Sequence, residues 1–217
     1  MQNKELERVE RAADTELIKM VQGRYMFYLE EFAYDKIWEY LLANTHPDIS
    51  VEIEEMGAFT GPERVKELMY GLNEMATIPR FGIMPVTTIA SPLIVFSESG
   101  KKAKGYWHYF GGNSRIGVEY PSGEEELVAI WTAGKFANEF IEQNGEWKLL
   151  KVCQINWFRT PYDLGWIKQA DCVRNIPPNG CIPNGYSRLA TYRPDAVYTG
   201  HGPYNYGPHP EENGFSD

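Results

Sequence analysis

The sequence predicts an α+β domain: a curved antiparallel sheet wrapped as a cone around N-terminal helices, followed by a long irregular C-terminal arm. Three observations predict it. Residues 5–43 carry apolar side chains at three- and four-residue intervals, residues 86–159 hold runs rich in β-branched and aromatic residues, and residues 160–217 hold eight of the fourteen prolines. Helices first and antiparallel strands afterwards is the order of an α+β domain. The expected division is a cone domain over 1–160 and a Pro/Gly/Tyr-rich extension over 161–217.

In the first segment Leu17, Met20, Val21, Tyr25, Tyr28, Leu29 and Phe32 share one helical stripe. Lys36–Ala43 repeats the pattern with Ile37, Trp38, Leu41 and Leu42, and Phe32–Asp35 leaves room for a break. Thr60-Gly61-Pro62-Glu63 reads as a helix start, with proline in the first turn and an acid near the positive end. That helix would turn Val65, Leu68, Met69 and Leu72 inward. Strands are expected over Val86–Ala90, Leu93–Ser97, Ala103–Gly111, Leu127–Glu142 and Glu146–Arg159. The last two are joined at Asn144-Gly145, a pair that supplies the positive φ angles of a tight hairpin. The arm's prolines and scattered glycines oppose long helices and central strands. Its Trp166, Tyr186, Tyr192, Tyr198, Tyr204 and Tyr206 suit packing on a surface, its own or a neighbouring subunit's.

Composition narrows the function. With 43% hydrophobic and 24% charged residues the 217-residue chain is globular. A net charge of −9 opposes nucleic acid or an anionic membrane as the main partner. No apolar run approaches the length of a membrane helix, and the first residues are too polar for a signal peptide, so a cytoplasmic protein is expected. Cys153, Cys172 and Cys181 are an odd number without zinc spacing, and Cys153 reads as a small buried hydrophobe. Nucleotide fingerprints, a serine elbow and metal-binding histidine spacing do not occur among the motifs of the chain. The expectation is chemistry with no cofactor and no metal, resting on tyrosine, carboxylate, histidine and amide groups in an apolar cavity. Such groups suit eliminations in which a conjugated substrate delocalises its own charge.

Several segments in order resemble the SnoaL-like members of the nuclear transport factor 2-like superfamily, which includes scytalone dehydratase and bile-acid 7α-dehydratase. They are Gly23-Arg24-Tyr25, Trp38 with Leu41 and Leu42, Thr60-Gly61-Pro62, Gly105-Tyr106-Trp107, Phe136-Ala137-Asn138-Glu139-Phe140 and Asn144-Gly145-Glu146-Trp147-Lys148-Leu149. The resemblance covers roughly residues 8–160. It implies a cone-shaped fold with a hydrophobic pocket between helices and sheet, as a homo-oligomer, trimer before dimer. The same fold resembles that of diarylpropane lyases.

By that resemblance Tyr25 matches the helix tyrosine the dehydratases use on substrate, and Asn138 a pocket amide or acid. Asn156 falls near an arginine of the bile-acid enzyme. Ile83 stands where the dehydratases place a catalytic histidine, and Trp107 where a second one falls, with His108 beside it. The catalytic set expected is Tyr25 as acid or hydrogen-bond donor, His108 or Glu30 as base, and Asn138 as orienting group. Trp107, Tyr109, Phe136, Phe140, Ile83 and Asn156 are expected to line the substrate site. The reading is a cofactor-independent lyase acting on a hydrophobic aromatic or polycyclic molecule by dehydration or C–C cleavage. The alternatives are a non-catalytic binding domain and a cofactor-free isomerase.

Overall fold

The computed structural model describes residues 2–53, 56–75, 84–119 and 125–168. Ile83 and the arm beyond residue 168, with Cys172 and Cys181, lie outside the described residues. Helix α1 (Gln2–Glu30) comes first, then the single turn α2 (Tyr34–Lys36) and a π-helical turn over Ile37–Leu41. Next come a hairpin of β1 (Ser50–Ile53) and β2 (Gly57–Thr60), helix α3 (Pro62–Met75), four long strands and the short α4 (Gly165–Lys168). The strands are β3 (Val86–Phe96), β4 (Lys102–Glu119), β5 (Glu125–Gln143) and β6 (Glu146–Pro161), and they lie in one sheet of order β2-β1-β6-β5-β4-β3. All neighbours are antiparallel except β1 and β6. The α+β fold predicted is the fold observed.

The expected helix break falls at Phe32, which takes a left-handed φ of 57°. Beyond it the second helical segment is mostly π-helical, with Leu42 N–H donating to the Ile37 carbonyl at 3.1 Å. The buried stripe of α1 is also rotated from the expected one. Ile18, Val21, Gln22, Tyr25 and Met26 face the core, while Leu17 and Met20 are exposed. The two strands expected over 86–97 are one strand, offset in register between Ala90 and Leu93, with Ser91 at φ 53°. The β1–β2 hairpin is not among the expected strands; each strand has only four residues, too few for a period to register. Asn144 and Gly145 take positive φ as the hairpin requires.

Along the described part of β4 that pairs with β5, register runs without offset from Lys102 to Arg115, so successive residues alternate faces. Trp107 and Tyr109 are buried against the helices, and His108 and Phe110 face outward. Helix α1 is tied to the sheet by Trp147 Nε1–H donating to Asp14 Oδ1 at 2.9 Å and by Arg11 donating to the Gly100 carbonyl at 3.2 Å. Cys153, expected in the core, is half-buried, opposite Glu52 on the short strand β1. Among the described residues no helix is long and apolar enough to cross a membrane.

One glycine shapes the concave face. Tyr109, Gly134 and Asn156 stand opposite one another on β4, β5 and β6. The Tyr109 ring lies across the position a Gly134 side chain would fill, and its hydroxyl donates to Asn156 Oδ1. A Cβ at Gly134 would stand 2.1 Å from the Ile155 carbonyl oxygen and 2.6 Å from the Tyr109 hydroxyl. The first neighbour is backbone and cannot swing aside. Gly134→Ala is therefore expected to destabilise the fold by about 3 kcal/mol, at the upper end of overpacking costs. Urea unfolding of the variant checks this; an unchanged midpoint would contradict the packing described.

Candidate functional site

The site is built where α1 crosses β5. Gln22 and Tyr25 are three residues apart and so lie on one helix face. Asn138 and Phe136 are two apart on one strand face. The two pairs make two rungs: Gln22 meets Asn138 by a hydrogen bond of 2.7 Å, and Tyr25 meets Phe136 edge to face at 6.0 Å. Phe136 also carries the Tyr109 ring, with centroids 5.1 Å apart. It is thus the floor between a tyrosine of the helix and a tyrosine of the sheet.

Tyr25 is 2% exposed. Burial raises its hydroxyl well above the ordinary value of 10.0, and the neighbouring Tyr34 raises it further. Tyr25 is consequently neutral at any working pH, a hydrogen-bond donor rather than a source of tyrosinate. The shift has a measurable consequence. Because the proton is held more tightly in the folded chain, stability is complete below pH 10 and falls as pH rises above it, by about 1.4 kcal/mol per unit. Tyr25→Phe should lose that alkaline slope. Equal slopes in guanidinium unfolding between pH 9 and 11 would contradict the burial.

Asn138, 1% exposed, is held on both sides. Its Oδ1 accepts the Cys153 backbone N–H at 3.0 Å and its Nδ2 donates to Gln22 Oε1. It is a positioning residue, supplied in part by the backbone. Tyr109 donates to Asn156, whose Oδ1 also accepts from Gln154 Nε2 at 3.4 Å. These expected residues are brought together around Phe136.

Others are not. His108, expected as a base, lies on the outer face of β4, exposed, with its ring 5.3 Å from Trp157. The strand offset nearest to it is on β3, between Ala90 and Leu93, and does not turn His108 inward. Glu30, at the end of α1, accepts the Thr87 backbone N–H through Oε1 at 2.8 Å and so fastens the helix to β3. Its Oε2 accepts no hydrogen bond among the described residues. Trp107 and Phe140, expected to line the site, pack edge to face at 5.9 Å within the core. They fill the space over Gly105, where a Cβ would come within 2.4 Å of the Trp107 ring and 2.8 Å of Phe140. Gln22 is the residue the sequence reading did not single out. A polar side chain inside the helical stripe Ile18, Val21, Tyr25, Met26 was its signal. Among the described residues no three His, Cys, Asp or Glu side chains gather as a metal site would need.

Solved structures share this architecture. LinA is 17% identical and superposes with a TM-score of 0.53, over 71% of this chain and 92% of its own. The two share a fold. A second neighbour, a hexachlorocyclohexane dehydrochlorinase (LinA) of type 2, is 16% identical with a TM-score of 0.53, over 80% of this chain and 99% of its own. A third, a scytalone dehydratase-type protein from Novosphingobium aromaticivorans DSM 12444, is 16% identical with a TM-score of 0.53, over 70% and 89%. At these identities the likeness is one of fold. No protein-family model and no curated protein sequence matches the chain.

Proposed function

We propose that the chain is a cofactor-independent lyase acting on a hydrophobic, aromatic or polycyclic small molecule. The observation that carries this reading is the buried Gln22 Nε2, which has no hydrogen-bond partner among the described residues, beside the neutral Tyr25 hydroxyl over an aromatic floor. A buried polar group without a partner is costly unless something else completes it. A substrate oxygen is that completion. The dehydrochlorinase and the dehydratase-type protein of the same fold support the lyase class.

In an elimination, a base takes a proton from the carbon beside a carbonyl or aromatic ring. The electron pair forms the new C–C double bond, and the leaving oxygen departs with the bonding pair and gains a proton as water. In the retro-aldol variant a hydroxyl proton is taken instead, a C–C bond breaks, and the carbonyl fragment leaves. Either way charge builds on a substrate oxygen, and Tyr25 stabilises it there by donating a hydrogen bond from a low-dielectric position. Trimeric assembly and a cytoplasmic setting belong to the same proposal.

One observation favours the rival reading, a carrier or sensor without turnover: His108 is on the wrong face and Glu30 is half committed to β3. Incubation with phenolic and steroid-like alcohols and ketols, followed by product mass, separates them. A lyase releases water or formaldehyde, an isomerase leaves the mass unchanged, and a binding protein returns every compound intact. Lyase activity should survive His108→Ala within about twofold, since an outward, exposed residue has no reach to the reaction. Turnover lost in that variant, or no conversion of any compound, would overturn the proposal.

A further inference from the structure

We infer that Gln22 determines which guests the proposed site takes: its carboxamide is a fixed donor that, beside Tyr25, selects ligands bearing an acceptor oxygen. The inference rests on the pocket reading above and concerns the same site.

The orientation of the amide follows from a chain of constraints. The Cys153 backbone N–H can only donate, so it fixes Asn138 Oδ1, 3.0 Å away. The Asn138 NH2 must then face Gln22, and Gln22 must present Oε1 to it, at 2.7 Å. Turning Gln22 over would set two NH2 groups against each other. Its Nε2 is therefore left with its N–H groups, in a side chain of 0% exposure, with no acceptor among the described residues. Such a donor carries its desolvation cost uncompensated. Tyr25, one turn along the same face, offers a second neutral donor over the Phe136 ring. Two neutral donors suit a ketone oxygen, or the enolate oxygen that grows from it. A hydrocarbon of equal shape leaves both unsatisfied.

The test uses 1-tetralone and tetralin, bicyclic compounds that differ at one oxygen, with dissociation constants from titration calorimetry of the full chain. Comparing the ratio of the two constants between variants cancels the different hydration of the two compounds. Gln22→Met, which removes the donor, should lower the ketone preference about five- to tenfold. A wild-type ratio in Gln22→Met would make Gln22 a structural partner of Asn138 alone and overturn the inference while leaving the pocket reading intact. Infrared spectra of bound tetralone give a second test that leaves Gln22 in place. In Tyr25→Phe the carbonyl band should remain below its frequency in alkane, because Gln22 still donates; a band at the alkane value overturns the inference. Wild-type protein that binds neither compound overturns the pocket reading and this inference with it.

Discussion

Tyr25→Phe is expected to lower turnover by at least about a hundredfold while the fold and the ligand affinity change little. The variant deletes one oxygen and leaves a ring of nearly the same size in the buried position. The ring still meets Phe136 edge to face. What disappears is a donor aimed at the position where charge accumulates, and such donors contribute on the order of 10²–10³ in rate. Affinity changes less, because a neutral ground-state oxygen gains only about 1 kcal/mol from the same bond. Single-turnover rates on any compound found to react would show the split. Equal rates in the two proteins would remove Tyr25 from the chemistry.

Phe136→Ala should have the largest effect on stability, about 3–5 kcal/mol. Phe136 is 1% exposed and supports two tyrosine rings, one on α1 and one on β4. Loss of the ring leaves a cavity that neither neighbour can fill without moving. Tyr109 is held through Asn156 and Tyr25 through its helix, so collapse is restricted. Urea unfolding gives the loss directly, and a cost under about 1 kcal/mol would mean that Phe136 is not the floor of the site. The same variant should bind aromatic guests more weakly, since both walls lose their spacing.

The sequence made the α+β order legible because its signals were long: a 29-residue helix, a Pro-led helix start and an Asn-Gly hairpin. Short elements were not legible, as the four-residue strands β1 and β2 illustrate. Periodicity placed Tyr25, Phe136 and Tyr109 on inward faces, where the structure has them. The same alternation turns His108 outward where Trp107 faces inward. The part of the site that stayed hidden depends on partners far apart in the chain. Gln22 and Asn138 are separated by 116 positions, and nothing local marks one as the acceptor for the other. Glu30 likewise reads as a free carboxylate until β3 is seen to supply its N–H.

The most direct measurement is a crystal structure of the protein soaked with 1-tetralone. The ring should lie over Phe136, with the ketone oxygen about 3 Å from both Tyr25 Oη and Gln22 Nε2. Tetralone seated instead among the outward aromatics, such as Phe110 and Trp131, with those two donors still bare, would contradict the account.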